Sequence, residues 1–292
     1  MSLFIKPCDT DNESLLINEA GKLRRGSLKK NKKPEWVVQK EKISHKKIVQ
    51  KIWLYGIHAV GDALRNPKRI KHKLIVTPNA CKKLDVEITK SSIRVEIIEP
   101  KQFLPPIEKT AVHQGAALEA SPLKWGSLSE VCAPKEESKL VLLLDRVTDP
   151  QNVGAILRSA EVFGATAVAS PLRYSSPETG ALAKAASGAL ERQPYLRLPN
   201  LARAIFSLKK MGYFCIGLSG TSKFDLNDCL KQIPKGPVAL IVGAEGPGLR
   251  ELTLKSCDQI ARIPSHRDFG SLNVSNAAAL SLYITRSQIN EW

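Results

Sequence analysis

The chain has 292 residues, 43% of them hydrophobic, which is enough to build two folded domains of ordinary size. Its 44 lysines and arginines outnumber 28 aspartates and glutamates, and the net charge of +16 favours an anionic partner, nucleic acid before a membrane surface. The sequence excludes a membrane-spanning protein, because no apolar run reaches the roughly 18 residues that a crossing needs. Asp9, Asp11 and Glu13 are untypical of a secretory or mitochondrial presequence, so we expect a cytoplasmic protein without a membrane partner.

A basic segment comes first in the chain. Residues 22–47 carry eleven lysines and arginines against Glu35 and Glu41, a net charge of +9. Because apolar periodicity is almost absent, residues 1–51 are predicted to be a disordered tail that can lie along phosphates. A solubilising tail without a specific target is the alternative.

Between residues 52 and 120 short strand-like runs alternate with helical ones, which predicts a small α/β domain. The strand candidates are Trp53–Tyr55, Lys73–Val76, Val95–Ile98 and Ala116–Glu119. Residues 121–138 then combine Pro122, Gly126 and Pro134 with polar residues that lack periodicity. This composition predicts a linker.

Residues 139–292 are predicted to form a second α/β domain, a parallel sheet covered on both faces. The helix candidates lie near 152–163, 177–190, 200–211, 248–257 and 273–288. The strand candidates are Leu140–Leu144, Thr166–Ala169, Tyr195–Leu198, Tyr213–Leu218, Val238–Val242 and Gln259–Ile263. Such a sheet binds its ligand at the carboxyl ends of the strands. Three motifs lie at predicted strand ends, so we expect them to meet there.

The first motif, DPQNVGAILR at 149–158, leaves a buried strand through a turn and opens a helix. Asn152 is placed to cap that helix, and Arg158 can project into a neighbouring site. Taken alone, the motif is a weak signal, because a helix-start asparagine is more often a structural cap and a lone arginine is usually a salt-bridge partner.

The second motif, GAEGPG at 243–248, has glycines that let the backbone turn sharply and approach a ligand closely. Its spacing matches neither GxGxxG nor the GxxxxGK[ST] phosphate loop. The third motif spans 263–279, where Ser271 is placed to cap the last helix and Ala277–Ala279 allow close packing. An ordinary strand-to-helix turn and a capped helix remain alternatives for each motif by itself.

In combination and in this order, Asn-x-Gly-x-x-x-Arg, Gly-x-Glu-Gly-x-Gly and Ile-Pro followed by Ser-Leu-Asn-Val-Ser resemble the SpoU (TrmH) family of SPOUT RNA methyltransferases. The resemblance covers residues 138–290 and includes AASGALE at 185–191. Upstream, YGIHAV at 55–60 and VHQG at 112–115 resemble the L30e-like RNA-binding domain of a subgroup that methylates a guanosine ribose in large-subunit rRNA.

The resemblance implies a parallel sheet whose last segment forms a trefoil knot that holds S-adenosylmethionine, in a homodimer that acts on 23S-type rRNA. Neither pattern nor spacing predicts a knot. By motif position, the resemblance implies that the cofactor lies among Gly243, Ile263 and Leu272. The residues implied to line the reaction site are Asn152, Arg158, Glu245, Ser271 and Asn273.

Methyl transfer to a ribose hydroxyl requires the reacting atoms in line, an orientation effect worth about 7 to 11 kcal/mol. We favour a cationic Arg158 that holds a substrate phosphate over Arg158 as the base, because a neutral guanidine at pH 7 costs roughly 7 kcal/mol. Glu245 can hold that guanidinium. We expect no metal, since the six cysteines are scattered without metal-ligand spacing and are expected to be reduced and mostly buried.

One departure concerns Arg267, where the family usually has glycine. Either the loop is strained at this position, or it is reshaped and Arg267 adds a phosphate contact. Two alternatives to an rRNA guanosine methyltransferase stay open: methylation of tRNA or another rRNA ribose, and a non-catalytic RNA-binding assembly factor. The joint presence of the five reaction-site residues disfavours the assembly factor.

Overall fold

The structure of the protein is a computed structural model that describes residues 50–108, 110–134, 139–233, 235–266 and 272–289. The predicted tail, residues 1–51, lies outside the described residues except for its last two. The described residues form one sheet of four strands and one of six.

The smaller sheet is mixed in direction. It and its helices comprise β1 (Ile52–Tyr55), α1 (Ile57–Arg65), β2 (Lys71–Val76), α2 (Pro78–Lys83), α3 (Asp85–Ser91), β3 (Val95–Ile97) and β4 (Ala116–Ala120). The strand order is β1-β4-β2-β3, with β4 antiparallel to both β1 and β2, and β2 parallel to β3. Helix α1 buries Ala59, Val60, Ala63 and Leu64, a spacing that aligns them on one helical face.

The larger sheet is parallel throughout, as the sequence predicts, with the order β10-β8-β9-β5-β6-β7. Its strands are β5 (Leu140–Asp145), β6 (Ala167–Pro171), β7 (Tyr195–Leu198), β8 (Phe214–Leu218), β9 (Val238–Gly243) and β10 (Gln259–Ala261). The helices of this part are α4 (Leu128–Cys132), α5 (Pro150–Val162), α6 (Gly180–Ala186), α7 (Leu201–Lys210), α8 (Leu226–Gln232), α9 (Glu251–Ser256) and α10 (Val274–Gln288).

Strand β5 is buried along its whole length because both faces of the sheet are covered. Leu140, Leu142 and Leu144 point to the side that packs α5, α6, α8 and α10. Val141 and Leu143 point to the opposite side, which packs α4 and α7. A continuous apolar run is what a doubly covered strand requires, since side chains alternate between two buried faces.

The segment predicted to be a linker, residues 121–138, contains a short helix. This helix, α4, begins with a capping box: Ser127 Oγ accepts from the backbone N–H of Glu130, and the Glu130 carboxylate accepts from that of Ser127. The helix is too short to be stable alone. Cys132 is completely buried, and its carbonyl accepts from the Tyr213 hydroxyl at 2.8 Å. Tertiary packing therefore stabilises α4, a helix that the sequence periodicity does not predict.

Helix α8 was also not predicted, because seven residues give too short a window for helical periodicity. The predicted trefoil knot depends on the chain between β10 and α10. Residues 267–271 of that segment lie outside the described residues, and the knot stays a prediction.

A buried ion-pair network joins the two sheets. The Arg69 side chain, which follows α1, is fully buried and binds Glu191 through Nε at 3.1 Å and Nη2 at 2.5 Å. Its Nη1 donates to Glu178 and to the carbonyl oxygen of Ser121. Burial alone would lower the pKa of Arg69, but hydrogen bonds and charges from both glutamates outweigh it and raise that pKa.

Close backbone approach accompanies this network. Gly180, the first residue of α6, lies against β1: a Cβ at this position would be 2.4 Å from the carbonyl oxygen of Trp53 and 2.4 Å from the Tyr55 ring. No larger residue fits without moving backbone. The small sheet is therefore packed directly on the helices of the large one.

Replacing Arg69 with methionine removes the cation from this network and leaves the carboxylates of Glu178 and Glu191, 12% and 4% exposed, without it. We expect the free energy of unfolding, measured by urea denaturation, to fall by about 3 to 5 kcal/mol. The control is Arg65→Met, because Arg65 pairs with Asp62 and Glu87 while its side chain is 56% exposed. That variant should lose about 1 kcal/mol or less. Equal losses in the two variants would contradict the role given to Arg69.

Candidate functional site

The carboxyl ends of the central strands β5 and β9 lie side by side. Asp145 pairs with Gly243 as the last step of their ladder, and the backbone N–H of Ala244 donates to the Asp145 carbonyl at 3.0 Å. The chain leaves both strands at this point, toward the first motif and into the second. The register of one strand pair thus places the two motifs together.

A hydrogen-bonded cluster connects all three motifs. Glu245 Oε1 accepts from Nδ2 of Asn152 at 3.2 Å and from Nδ2 of Asn273 at 2.5 Å. The Asn273 amide also donates to Oδ1 of Asn152 at 3.0 Å. We call Asn152, Glu245 and Asn273 the motif cluster. Three of the residues singled out from the sequence therefore meet, although they lie on three separate segments.

The helix caps differ from those predicted. Helix α5 begins at Pro150 and is capped by Asp149, whose carboxylate accepts from the backbone N–H of Gln151 at 2.9 Å. The predicted cap, Asn152, lies inside the helix, and its amide is free to join the motif cluster. Helix α10 is capped by Asn273 rather than Ser271, because it begins at Val274. Ser271 itself lies outside the described residues.

The start of α10 also orients Glu245. Its Oε1 accepts from the backbone N–H of Val274 at 3.2 Å, while Oδ1 of Asn273 accepts from the backbone N–H of Ser275 at 2.9 Å. The first N–H groups of a helix lack helical partners and carry the positive end of its dipole. The Glu245 carboxylate therefore accepts from a backbone N–H at the positive end of α10.

The second motif forms a tight turn that only glycine permits at its start. A Cβ on Gly243 would lie 2.2 Å from the Gly248 carbonyl carbon and 2.5 Å from the Leu249 nitrogen. The turn closes where the Gly248 N–H donates to the Ala244 carbonyl at 2.9 Å. Gly246 and Gly248 have φ of +81° and +66°, so the turn exposes Glu245 at its tip.

Sequence reasoning missed the residue that anchors this turn. The Asp145 carboxylate is completely buried and accepts from Arg250 Nε at 2.7 Å, from the Arg250 backbone N–H at 3.1 Å and from Thr253 Oγ1 at 2.7 Å. A buried charge is tolerated only with such partners. The sequence signal that could have identified Asp145 is its position as an acidic residue at the end of an uninterrupted apolar strand.

Two of the other residues singled out from the sequence, Leu272 and Ile263, lie at the same edge of the sheet, and Arg267 lies outside the described residues. Leu272, 50% exposed, directly precedes Asn273 of the motif cluster. Ile263 is half-buried and follows β10, which is separated from β9 by β8. A cavity of about 490 Å³ near Phe224 is lined by none of the sequence-selected residues.

Arg158 is exposed on α5, about 9 Å along the helix from Asn152. Within the described ranges it makes no hydrogen bond or ion pair, and the contact expected with Glu245 does not form there. Glu245 is satisfied instead by two amides and a backbone N–H. The Arg158 guanidinium therefore faces solvent without a partner among the described residues.

The cysteines do not contribute to this site. Those in the described part of the chain are free thiols, and burial raises the pKa of Cys132 to about 11 and those of Cys215 and Cys257 to about 12. Protonated thiols are poor nucleophiles and metal ligands. Among the described residues no group of His, Cys, Asp and Glu could hold a metal ion. No described helix has both the length and the apolarity that crossing a bilayer requires.

Comparison with known proteins matches both folded parts of the chain to described families. The SpoU rRNA Methylase family matches residues 139–283, and the family described as RNA 2'-O ribose methyltransferase substrate binding matches residues 53–125. The 23S rRNA (guanosine-2'-O-)-methyltransferase RlmB of Pseudomonas syringae is 37% identical over 235 residues, 79% of this chain and 93% of that protein. RlmB of Ralstonia nicotianae gives the same values.

This chain belongs to the SpoU rRNA methylase family. The structure of the SpoU methyltransferase AviRb from Streptomyces viridochromogenes, in complex with AdoMet, has a TM-score of 0.70 at 21% identity and covers 82% of this chain and 90% of that one. At this identity the likeness concerns the fold. Family membership confirms the resemblance drawn from the three motifs, and the SpoU domain of this chain carries all of them.

Replacing Gly243 with alanine tests whether the SpoU domain depends on the tight second-motif turn. The added methyl would contact backbone of Gly248 and Leu249, which cannot rotate away, so we expect thermal unfolding measurements to show a loss of about 1 to 3 kcal/mol. Gly236→Ala is the matched control, since no described atom lies within 4 Å of a Cβ there. A Gly243→Ala protein as stable as this control would show that the turn tolerates a side chain.

Proposed function

We propose that this protein transfers a methyl group from S-adenosylmethionine to the ribose 2'-hydroxyl of a guanosine in 23S rRNA. The motif cluster carries the proposal, because it unites three distant segments at the edge of a parallel sheet where ligands bind. Two relatives, each 37% identical, are named as methyltransferases that carry out this reaction, which supports the proposal. The net charge of +16, which suits binding to RNA, supports it as well.

The residues at this edge fit S-adenosylmethionine. Exposed Leu272 and half-buried Ile263 can pack an adenine ring, and the backbone at Gly243 can donate and accept hydrogen bonds. No described atom lies within 4 Å of a Cβ built on Gly246 or Gly248, so the turn is open on that side. The cofactor supplies a methyl group on a positively charged sulfur, and the reaction then needs no metal.

The protein's own residues bind and orient the RNA. Arg158, which is exposed, holds a phosphate beside the target ribose through its guanidinium. Glu245 fixes the amides of Asn152 and Asn273, which orient the ribose hydroxyl, and Ser271 contributes a further hydroxyl. The catalytic contribution is chiefly orientation of the reacting atoms.

Residues 52–120 form the RNA-binding domain of this proposal and 139–292 the methyltransferase domain, joined by 121–138. We place the protein in the cytoplasm, with its rRNA substrate, and assign it as a homodimer. Exposed apolar side chains on the helices of the large sheet support a dimer: Val162 at the end of α5 is 75% exposed and Leu280 on α10 is 42% exposed.

The test is methyl transfer to defined RNA. Purified protein with methyl-labelled S-adenosylmethionine should label a 23S rRNA transcript at one guanosine, detected as a 2'-O-methyl nucleotide by mass spectrometry of nuclease digests. Labelling of tRNA alone, or of another ribose, would replace the proposed substrate. Binding of 23S rRNA without methyl transfer to any RNA would indicate an assembly factor instead.

Arg158→Ala should abolish methylation, because the phosphate contact is lost. Affinity for S-adenosylmethionine, measured by calorimetry, should stay within a few fold of the wild type. Arg203→Ala is the matched control, since Arg203 is an exposed arginine on α7, on the opposite side of the sheet. If Arg158→Ala keeps the wild-type turnover, Arg158 has no part in the mechanism.

Leu280→Glu introduces a charge into the exposed apolar surface of α10. We expect sedimentation velocity to show a shift from dimer to monomer, since an unpaired charge in an interface costs several kcal/mol. Leu104→Glu, at a residue 88% exposed in the smaller sheet's part of the chain, should leave the dimer intact. An unchanged dimer in Leu280→Glu would place the interface elsewhere.

A further inference from the structure

Two loops at the carboxyl edge of the large sheet meet beside the motif cluster. The first follows β5 and begins with Arg146, and the second follows β6 and contains Tyr174. The backbone N–H of Ser176 donates to the carbonyl of Val147 at 3.3 Å, which joins the loops. Across this junction the guanidinium carbon of Arg146 lies 5.1 Å from the centre of the Tyr174 ring, a cation–π arrangement.

Both residues hold an unfavourable backbone. Arg146 has φ of +64° and Tyr174 φ of +57°, in the left-handed region that favours glycine. Each costs about 1 kcal/mol or more, and such strain persists only where surrounding contacts hold it. Here Arg197 holds the second loop: its Nη2 donates to the Leu172 carbonyl at 3.0 Å and its Nη1 donates to the Ser176 carbonyl.

The pair is open to solvent and positively charged. Tyr174 is 68% exposed although Arg146 lies over its ring, and neighbouring Leu172 is 55% exposed. Arg146 and Arg173 are also exposed, and neither forms an ion pair with any described carboxylate. Other exposed arginines, such as Arg65, do pair with acids. An aromatic ring beside two arginines that pair with no described carboxylate is chemically suited to a base and its phosphates.

Chain continuity places this surface next to the proposed reaction site. Arg146 follows Asp145, the last residue paired with the second motif strand, and the same loop leads to Asp149 at the start of α5. The second loop ends at Glu178, which binds Arg69 of the smaller sheet's part of the chain. The two loops therefore connect this surface along the chain to the strand that pairs with the second motif strand, and to the buried network with Arg69.

The geometry points to a single-stranded RNA contact in which Tyr174 stacks on an unpaired base near the target nucleotide, while Arg146 and Arg173 bind its flanking phosphates. We call these three residues the stacking platform. The inference rests on the proposed function, since RNA is the occupant. Stacking tolerates any base, so the platform positions the strand rather than reading its sequence.

The test measures binding of a fluorescein-labelled single-stranded oligoribonucleotide of about ten nucleotides to the full-length protein by anisotropy, over a range of salt concentrations. Tyr174→Asn removes the ring while asparagine tolerates the left-handed backbone. We expect its Kd to rise by about 5- to 100-fold with the salt dependence unchanged, because stacking releases no counterions. Tyr174→Phe should bind like the wild type.

Two further variants separate stacking from charge and from general surface effects. Arg146→Ala with Arg173→Ala should lower the slope of log affinity against log salt by about one to two units. Phe206→Ala is the matched control, because Phe206 is 58% exposed with Lys210 at 4.7 Å over its ring, on α7 across the sheet. It should leave the Kd unchanged.

The outcomes distinguish this inference from the proposed function. A Tyr174→Asn protein that binds as tightly as the wild type, or no more weakly than Phe206→Ala, overturns the stacking platform even if 23S rRNA is methylated. Weakened binding by Tyr174→Asn in a protein that methylates no guanosine of 23S rRNA supports the platform and overturns the proposed reaction. A wild-type protein without affinity for RNA overturns both.

Discussion

The candidate site depends on the pairing of β5 with β9, six residue pairs that end with Asp145 beside Gly243. Both motif loops leave the sheet at this last pair. A slip of one residue would exchange the faces of β5 and carry Leu142 and Leu144 to the wrong side of the sheet. Because both faces pack against helices, that slip is strongly disfavoured, and the register that suits the core also places the motifs.

Two carboxylates then connect the sheet edge to the helices that follow. Asp145, fully buried, holds Arg250 and Thr253 at the far end of the glycine turn. Glu245, exposed at the tip of the same turn, holds Asn152 on α5 and the first N–H of α10. Asp145 is buried with all its partners and therefore stabilises the fold. Glu245 is exposed and holds the motif residues together at the surface, where a substrate can reach them.

The loop after β6 has a double role. It carries Tyr174 at the surface beside the motif cluster. Near its end, just before Thr179 caps α6, Glu178 binds Arg69 of the buried network. The substrate-binding part of the chain is thereby packed against the loop that we assign to RNA contact. A fixed spacing between the two suits an enzyme that must select one ribose in a large RNA, since small displacements of the reacting atoms reduce rate steeply.

The amino-acid sequence alone determined the alternation of strands and helices, the parallel sheet, the family and the three motif segments, because periodicity, apolar runs and glycine turns are local signals. It also predicted that Asn152, Glu245 and Asn273 belong to one site, although their hydrogen bonds span up to 121 positions. Only the tertiary structure decided the helix caps, the helix within residues 121–138, the burial of Asp145 and the Arg69 network. The helix caps are hydrogen bonds between near neighbours, which more than one residue at a helix start could form. The other three features depend on partners 81 to 122 residues away, and charged side chains such as Asp145 and Arg69 look like ordinary surface charges until packing removes them from water.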